Sequence, residues 1–157
     1  MSNFSIRLEL RPDKKWNSDL ATIVSDMDSV CFPGEPISPV KFKATYWWIV
    51  RCKNKPIGYA GLRLVDEGDD KLGFLCRVGV LPDFRGHGLQ KRLINSRVSF
   101  AKRVGCSAVL TYAYKENYPS INSLVSRGFR MYSPSYAWAG RDVMLYFRIL
   151  FKNTKAT

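Results

Sequence analysis

The sequence predicts a mixed α/β domain on a mostly antiparallel, twisted sheet of about seven strands with flanking helices. Three observations predict it: an N-terminal run that alternates at strand period, three consecutive strand-like runs joined by short turns, and a second half that switches between helical and strand period. The chain has 157 residues, 46% of them hydrophobic and 13% aromatic. That length and composition suit one packed core, so a single domain over residues 1–157 is expected, not a disordered basic tail.

Phe4, Ile6, Leu8 and Leu10 alternate with polar neighbours, as in a half-buried strand. Pro12-Asp13 then opens a helix expected to run through about Val24. The breaker cluster CFPGEPISP, Cys31 to Pro39, predicts a loop or short helical turns before the strand Tyr46–Lys53. The turn Asn54-Lys55-Pro56 joins that strand to Ile57–Glu67 as a hairpin, and the acidic turn Glu67-Gly68-Asp69-Asp70 leads into Leu72–Val80. Leu89, Leu93, Val98, Ala101 and Val104 then recur at near-helical spacing, with Lys91, Arg92, Arg97, Lys102 and Arg103 at the other positions. This reads as a basic amphipathic helix, Leu89–Val104, stopped by Gly105. Ser107–Tyr114 is a buried strand, Pro119–Ser126 a second helix ended by Gly128, and FRMYS and VMLYFRILF supply two last strands. No repeat, low-complexity segment or linker interrupts the chain.

The 25 Lys and Arg against 13 Asp and Glu leave a formal charge of +12. Residues 1–80 carry only +2 of it, and residues 81–157 carry +10. Such asymmetry speaks of partners and association, not of fold. The longest apolar run is far short of the roughly 20 residues needed to span a bilayer, and the N-terminus lacks a signal-like apolar segment. A soluble, unprocessed protein without a membrane partner is expected. Cys31, Cys52, Cys76 and Cys106 form no CxxC pair, and there is a single histidine. Reduced thiols in the cytoplasm follow, and no metal site is implied.

The most informative stretch is VGVLPDFRGHGLQK, Val78 to Lys91, where a strand runs through a glycine-containing turn into a helix. Unpaired N–H groups and the positive end of the dipole suit such a helix start to a phosphate or pyrophosphate, though by itself the stretch reads equally as a helix start with two turn glycines. A P-loop would need Lys and Ser or Thr after the last glycine, but Leu89 and Gln90 stand there. A dinucleotide-binding turn would need a third glycine and an acidic residue at the end of the next strand, and Ser107–Tyr114 has none.

Together with ENYPSINSLVSRGF, Glu116 to Phe129, this stretch resembles the Gcn5-related N-acetyltransferase (GNAT) superfamily. The first segment is similar to the family's acetyl-CoA motif, Q/R-x-x-G-x-G/A, with Arg85 first, Gly86 and His87 between, Gly88 at the glycine and Gln90 last. The second is similar to N-x-x-A/S-I followed by G-F, through Asn117, Ser120, Ile121, Gly128 and Phe129. The order of elements also matches, over nearly the whole chain. The resemblance implies a sheet splayed between its fourth and fifth strands, and acetyl-CoA as cofactor, released as CoA. It implies that Val78 and Val80 bond the pantetheine arm and that the N–H groups of Arg85, Gly86, His87, Gly88 and Gln90, with Lys91 beside them, hold the pyrophosphate. Asn117 and Ser120 would line the thiol end.

Three positions depart from the family pattern. Gln90 replaces a Gly or Ala, Leu124 stands where many members carry a tyrosine that protonates the leaving thiolate, and Phe74 stands where others place a glutamate base. Ser120 is commoner in the subgroup resembling ribosomal-protein N-terminal acetyltransferases, so Ser120 and Tyr114, with Tyr118 as a further phenol, are the candidate proton donors. With no carboxylate between Leu72 and Val80, an amino-terminal amine with a pKa near 8 suits the site better than a lysine near 10.4. His87, flanked by the phosphate-loop glycines, reads as a loop residue instead of a base. Tyr46-Trp47-Trp48 should place at least one ring in the core. Tyr132, Tyr136 and Trp138 read equally as core or as a substrate loop.

The resemblance therefore implies an acetyl-CoA-dependent N-acetyltransferase acting by direct transfer on a primary amine, expected to belong to a protein or peptide, and an acidic one. The alternative is a non-catalytic module of the same fold that binds CoA and an acidic or nucleic-acid-associated partner. A third reading places nucleic acid on the basic helix through Arg97, Lys102 and Arg103. Polyamine and aminoglycoside acceptors are disfavoured by like charge. The oligomeric state is left open.

Overall fold

The computed structural model describes residues 3–10, 18–35, 45–139 and 144–151. The strands are β1 (Phe4–Leu10), β2 (Thr45–Cys52), β3 (Lys55–Glu67), β4 (Asp70–Val80), β5 (Ala108–Tyr114), β6 (Arg130–Tyr132) and β7 (Met144–Leu150). The helices among the described residues are α1 (Ser18–Cys31), α2 (Leu89–Arg103) and α3 (Tyr118–Ser126), with a 3-10 turn at Pro82–Phe84. The strand order is β1-β2-β3-β4-β5-β7-β6, seven strands in one mixed sheet. By compactness the chain divides into two units, residues 1–63 with 76–93 and residues 64–75 with 94–157.

In the first unit β1, β2 and β3 pair antiparallel in sequence order, Phe4 opposite Cys52 and Trp48 opposite Ala60. The β2–β3 connection is the expected tight turn, with Lys53 and Asn54 both at positive φ. Leu20, Val24 and Met27 of α1 pack with Trp47, Ile49 and Tyr59 into a closed apolar cluster. One correction arises here. The helix expected to end near Val24 continues to Cys31, because its buried side continues through Met27 and Asp28; its expected opening at Pro12 lies outside the described residues. Trp47 and Trp48 point to opposite faces, yet both are core, so β2 is covered on both sides.

In the second unit β5 pairs antiparallel with β7, Leu110 opposite Arg148 and Tyr112 opposite Tyr146, and β6 pairs with β7 at the sheet edge. The parallel ladder between β4 and β5 has three pairs, Leu72 with Ala108, Gly73 with Val109 and Phe74 with Leu110. It uses only the first part of β4 and of β5. Both helices end on paired bonds from the two residues after the stop. Gly105 and Cys106 donate to Lys102 and Ala101, and Gly128 and Phe129 donate to Val125 and Leu124. The G-F pair of the second motif is thus a helix stop followed by a core anchor, with Phe129 fully buried.

The basic helix needs a correction too. Arg97, expected on the solvated basic face, is 1% exposed, while Lys102 and Arg103 are exposed. Ile94, Arg97 and Ala101 stand three and four residues apart and are all buried, so Arg97 lies in the buried stripe of α2.

Candidate active site

The phosphate-loop residues lie in the first unit. β4 ends at Val80, the chain makes the 3-10 turn Pro82–Phe84, Arg85 is extended, and Gly86 and Gly88 adopt φ of +85° and +72° before α2 begins at Leu89. Those φ values are where an L side chain is strained, which is why the motif needs glycine at both places. A Cβ built on either glycine meets no atom within 4 Å. The requirement is therefore one of backbone shape, and the space before the helix is open, as a pyrophosphate resting on the backbone requires. Arg92 donates from N–H to the Gly88 carbonyl at 3.2 Å, so the helical ladder begins at Gly88. Arg85, His87, Lys91 and Arg92 are exposed around this start, and Gln90 is half-buried.

The Arg85 N–H is already spent on the Pro82 carbonyl at 3.3 Å, and its Nε donates to the Val80 carbonyl at 2.8 Å. That carbonyl also accepts from Cys31 Sγ at 3.6 Å. Val80 and Arg85 thus fix each other, and the loop is braced by its own first residue. Burial raises the Cys31 thiol's pKa, and the nearby Arg85 only partly offsets this, so Cys31 is a protonated packing group. The His87 ring stacks at a tilt on Phe4 of β1, centroids 5.4 Å apart, in keeping with a loop residue.

A second feature of this unit escaped the sequence reading. Asp28, 2% exposed on α1, receives Arg77 Nε at 3.0 Å and Nη2 at 3.3 Å, and the Tyr59 hydroxyl in a short hydrogen bond. Arg77 also lies 4.1 Å over the Phe32 ring and donates to the Glu35 carbonyl. Burial, with the hydrogen bond to Asp28 and its negative charge, pushes the Tyr59 phenol well above its ordinary range. Burial alone would discourage the Arg77 charge, but Asp28 outweighs it and the guanidinium is held more firmly protonated. Arg77 therefore ties the end of α1 and the loop after it to the strand that carries Val78 and Val80. The available signal was a carboxylate four residues after Val24 on the apolar side of α1, and a lone arginine in the apolar run of β4.

Tyr114, Asn117 and Ser120 lie in the second unit, at the turn from β5 into α3. Asn117 caps the helix: its side-chain oxygen accepts from the Ser120 N–H at 3.3 Å, and its own N–H donates to the Tyr114 carbonyl at 3.0 Å. Ser120 is half-buried, Tyr114 is 42% exposed and Tyr118 is 66% exposed. Leu124 is buried. Phe74 packs edge-on against Trp138, centroids 5.3 Å apart, so an aromatic contact occupies the place where a base was sought. Trp138 also meets Tyr112 and Tyr146, and its indole donates to the Tyr132 hydroxyl at 3.1 Å.

The model of the acetyltransferase (GNAT) family matches residues 18–129. The chain belongs to that family, whose members are acetyl-CoA-dependent N-acetyltransferases. Arabidopsis thaliana Naa50 in complex with the bisubstrate analogue CoA-Ac-MVNAL superposes with a TM-score of 0.74 at 16% identity, over 95% of this chain and 99% of that one. The ribosomal-protein-S18-alanine N-acetyltransferase from Escherichia coli gives 0.74 at 15% identity, over 98% and 99%. Arabidopsis thaliana NAA60 in complex with acetyl-CoA gives 0.73 at 18%, over 94% and 99%. No curated protein matches the chain in sequence. Among the described residues no helix is long and apolar enough to cross a membrane.

Proposed function

We propose that the protein acetylates a primary amine of a protein or peptide, in the first place its amino-terminal amine, by direct transfer from acetyl-CoA. The observation that carries this reading is the side-chain chemistry of β4. From Leu72 to Val80 it offers no carboxylate, and Phe74 is packed on Trp138. A site without a strong base suits an amine that loses its proton near neutral pH, and an amino terminus does so about two pH units below a lysine. The names of the similar structures point to protein and peptide acceptors, joining CoA to MVNAL in one case and naming an alanine of ribosomal protein S18 in another.

Acetyl-CoA supplies an acetyl thioester for attack by the amine. Gly86, His87, Gly88, Gln90 and Lys91 bind its pyrophosphate through backbone N–H groups and the Lys91 charge, with Arg85 bracing the loop. Val78 and Val80 bond the pantetheine arm. Asn117 holds the start of α3, so that Ser120, or Tyr114 on the strand before it, gives a proton to the departing sulfur. The net charge of +12 favours an acidic acceptor and disfavours polycations.

The test is release of free thiol from acetyl-CoA in the presence of peptides with free amino termini, the same peptides with blocked amino termini but free lysines, and spermidine. Turnover with the first set alone supports the proposal. Turnover only with spermidine or the blocked peptides overturns it, and binding of acetyl-CoA without turnover on any amine marks a non-catalytic module.

A further inference from the structure

The sheet face made by β5, β7 and β6 carries a juxtaposition that acetyl transfer does not use. Arg130 of β6 lies directly opposite Arg148 of β7, and Arg148 is in turn opposite Leu110 of β5. Residues so paired share a face, with Cβ atoms about 5 Å apart, and two like charges there destabilise the sheet. Both arginines are exposed, and neither meets a carboxylate in a described ion pair. Among the described residues from 94 onward the only acid is Glu116, on the turn after β5.

The next register row on this face is aromatic. Tyr132, Tyr146 and Tyr112 stand opposite one another across β6, β7 and β5; Trp138 packs on this row, Tyr146 is buried, and Tyr112 keeps 44% exposure. The Arg148 guanidinium stacks 4.5 Å over the Tyr132 ring. Protection of an edge strand explains one charge on β6, but it does not ask for a second one facing it on β7.

We propose that this face, centred on Arg130 and Arg148, is a docking surface for single-stranded nucleic acid. Two guanidiniums side by side receive a backbone phosphate and relieve their own repulsion, while the exposed Tyr112 ring of the next row offers a surface to an unstacked base. An acidic peptide would satisfy the arginines but would make no use of the exposed Tyr112 ring in the next row. The surface differs from the basic helix α2, whose Arg97 is buried.

The experiment is fluorescence anisotropy with a labelled twenty-nucleotide oligouridylate at several salt concentrations, on the full chain. Three proteins are compared: wild type, R130S/R148S, and the charge-matched control K53N/K55S in the β2–β3 turn, where Asn suits the positive φ of residue 53. The proposal expects R130S/R148S to weaken binding at least tenfold and to flatten the log–log salt slope by about 1.4, the value for two lost single-strand phosphate contacts. The control should stay within twofold of wild type. Y112S should weaken binding severalfold without changing the salt slope, which separates stacking from charge. Unchanged melting temperatures and unchanged acetyl-CoA binding establish that the variants are folded. Equal weakening by both double variants overturns the proposal in favour of a diffuse electrostatic field. Failure of wild type to bind the oligonucleotide while it binds polyglutamate at the same salt overturns it in favour of an acidic protein.

Discussion

Arg77 of β4 grips the buried Asp28 of α1, Nε to Oδ1 at 3.0 Å, and the two are joined by 49 residues of chain. Removing one partner of such a pair leaves an uncompensated buried charge, at a cost of about 3–5 kcal/mol. Arg77→Met should therefore lower unfolding stability in urea by several kcal/mol, whereas the double variant Asp28→Leu with Arg77→Met should recover much of the loss. A single variant within about 0.5 kcal/mol of wild type, the range of ordinary surface changes, would show the pair to be idle.

The third member of that cluster predicts a pH dependence. Tyr59 has a phenol pKa raised by burial and by Asp28, so the folded state holds its proton more tightly than the unfolded chain does. The stabilisation is fully present below the unfolded value near 10 and is lost as the pH rises above it. Melting temperature should fall steeply above pH 10 in the wild type. Tyr59→Phe should start lower, because Asp28 loses a hydrogen bond, but should show a shallower alkaline slope. Parallel curves for the two proteins would refute the assignment.

Gly79 is required by crowding. A Cβ there would lie 2.6 Å from Cε1 and 2.9 Å from Cζ of Tyr59, and 2.9 Å from Cys31 Sγ. Gly79→Ala should cost about 1–3 kcal/mol by overpacking. Because the clash is with ring carbons, adding Tyr59→Phe should not restore the loss; denaturant unfolding of the two variants decides it.

Gly88 is required for a different reason, its positive φ in open space. Gly88→Asn, which tolerates that conformation, should keep measurable acetyl-CoA stabilisation in a thermal shift. Gly88→Glu should abolish it by setting a carboxylate against the pyrophosphate, and its strained positive φ should also lower the melting temperature of the unliganded protein by a few degrees. Equal acetyl-CoA stabilisation of the two variants would place the phosphates elsewhere.

Much of this was legible in the sequence because it is local. Strand alternation at Phe4–Leu10, the turn at Asn54, the glycine loop before Leu89 and the helix stops at Gly105 and Gly128 each depend on residues within a few positions of one another, and each lies where its pattern places it. What escaped the reading is non-local. Asp28 looks like a solvated helix residue until Arg77 and Tyr59 are brought to it, and the turn of α1 beyond Val24 is buried by that same non-local contact. Arg97 was counted with its basic neighbours because charge type, not position on the helix, was read. The pairing of Arg130 with Arg148 depends on a strand register that no local pattern states.

The central claim is chemical, and one product analysis tests it most directly. A peptide bearing both a free amino terminus and an internal lysine is incubated with the protein and acetyl-CoA, and the acetyl group is located by fragmentation mass spectrometry. A single acetyl group is expected on the amino-terminal nitrogen, lost when Gly88→Glu replaces the wild type. Acetylation of the lysine alone, or amino-terminal acetylation that persists in Gly88→Glu, would contradict it.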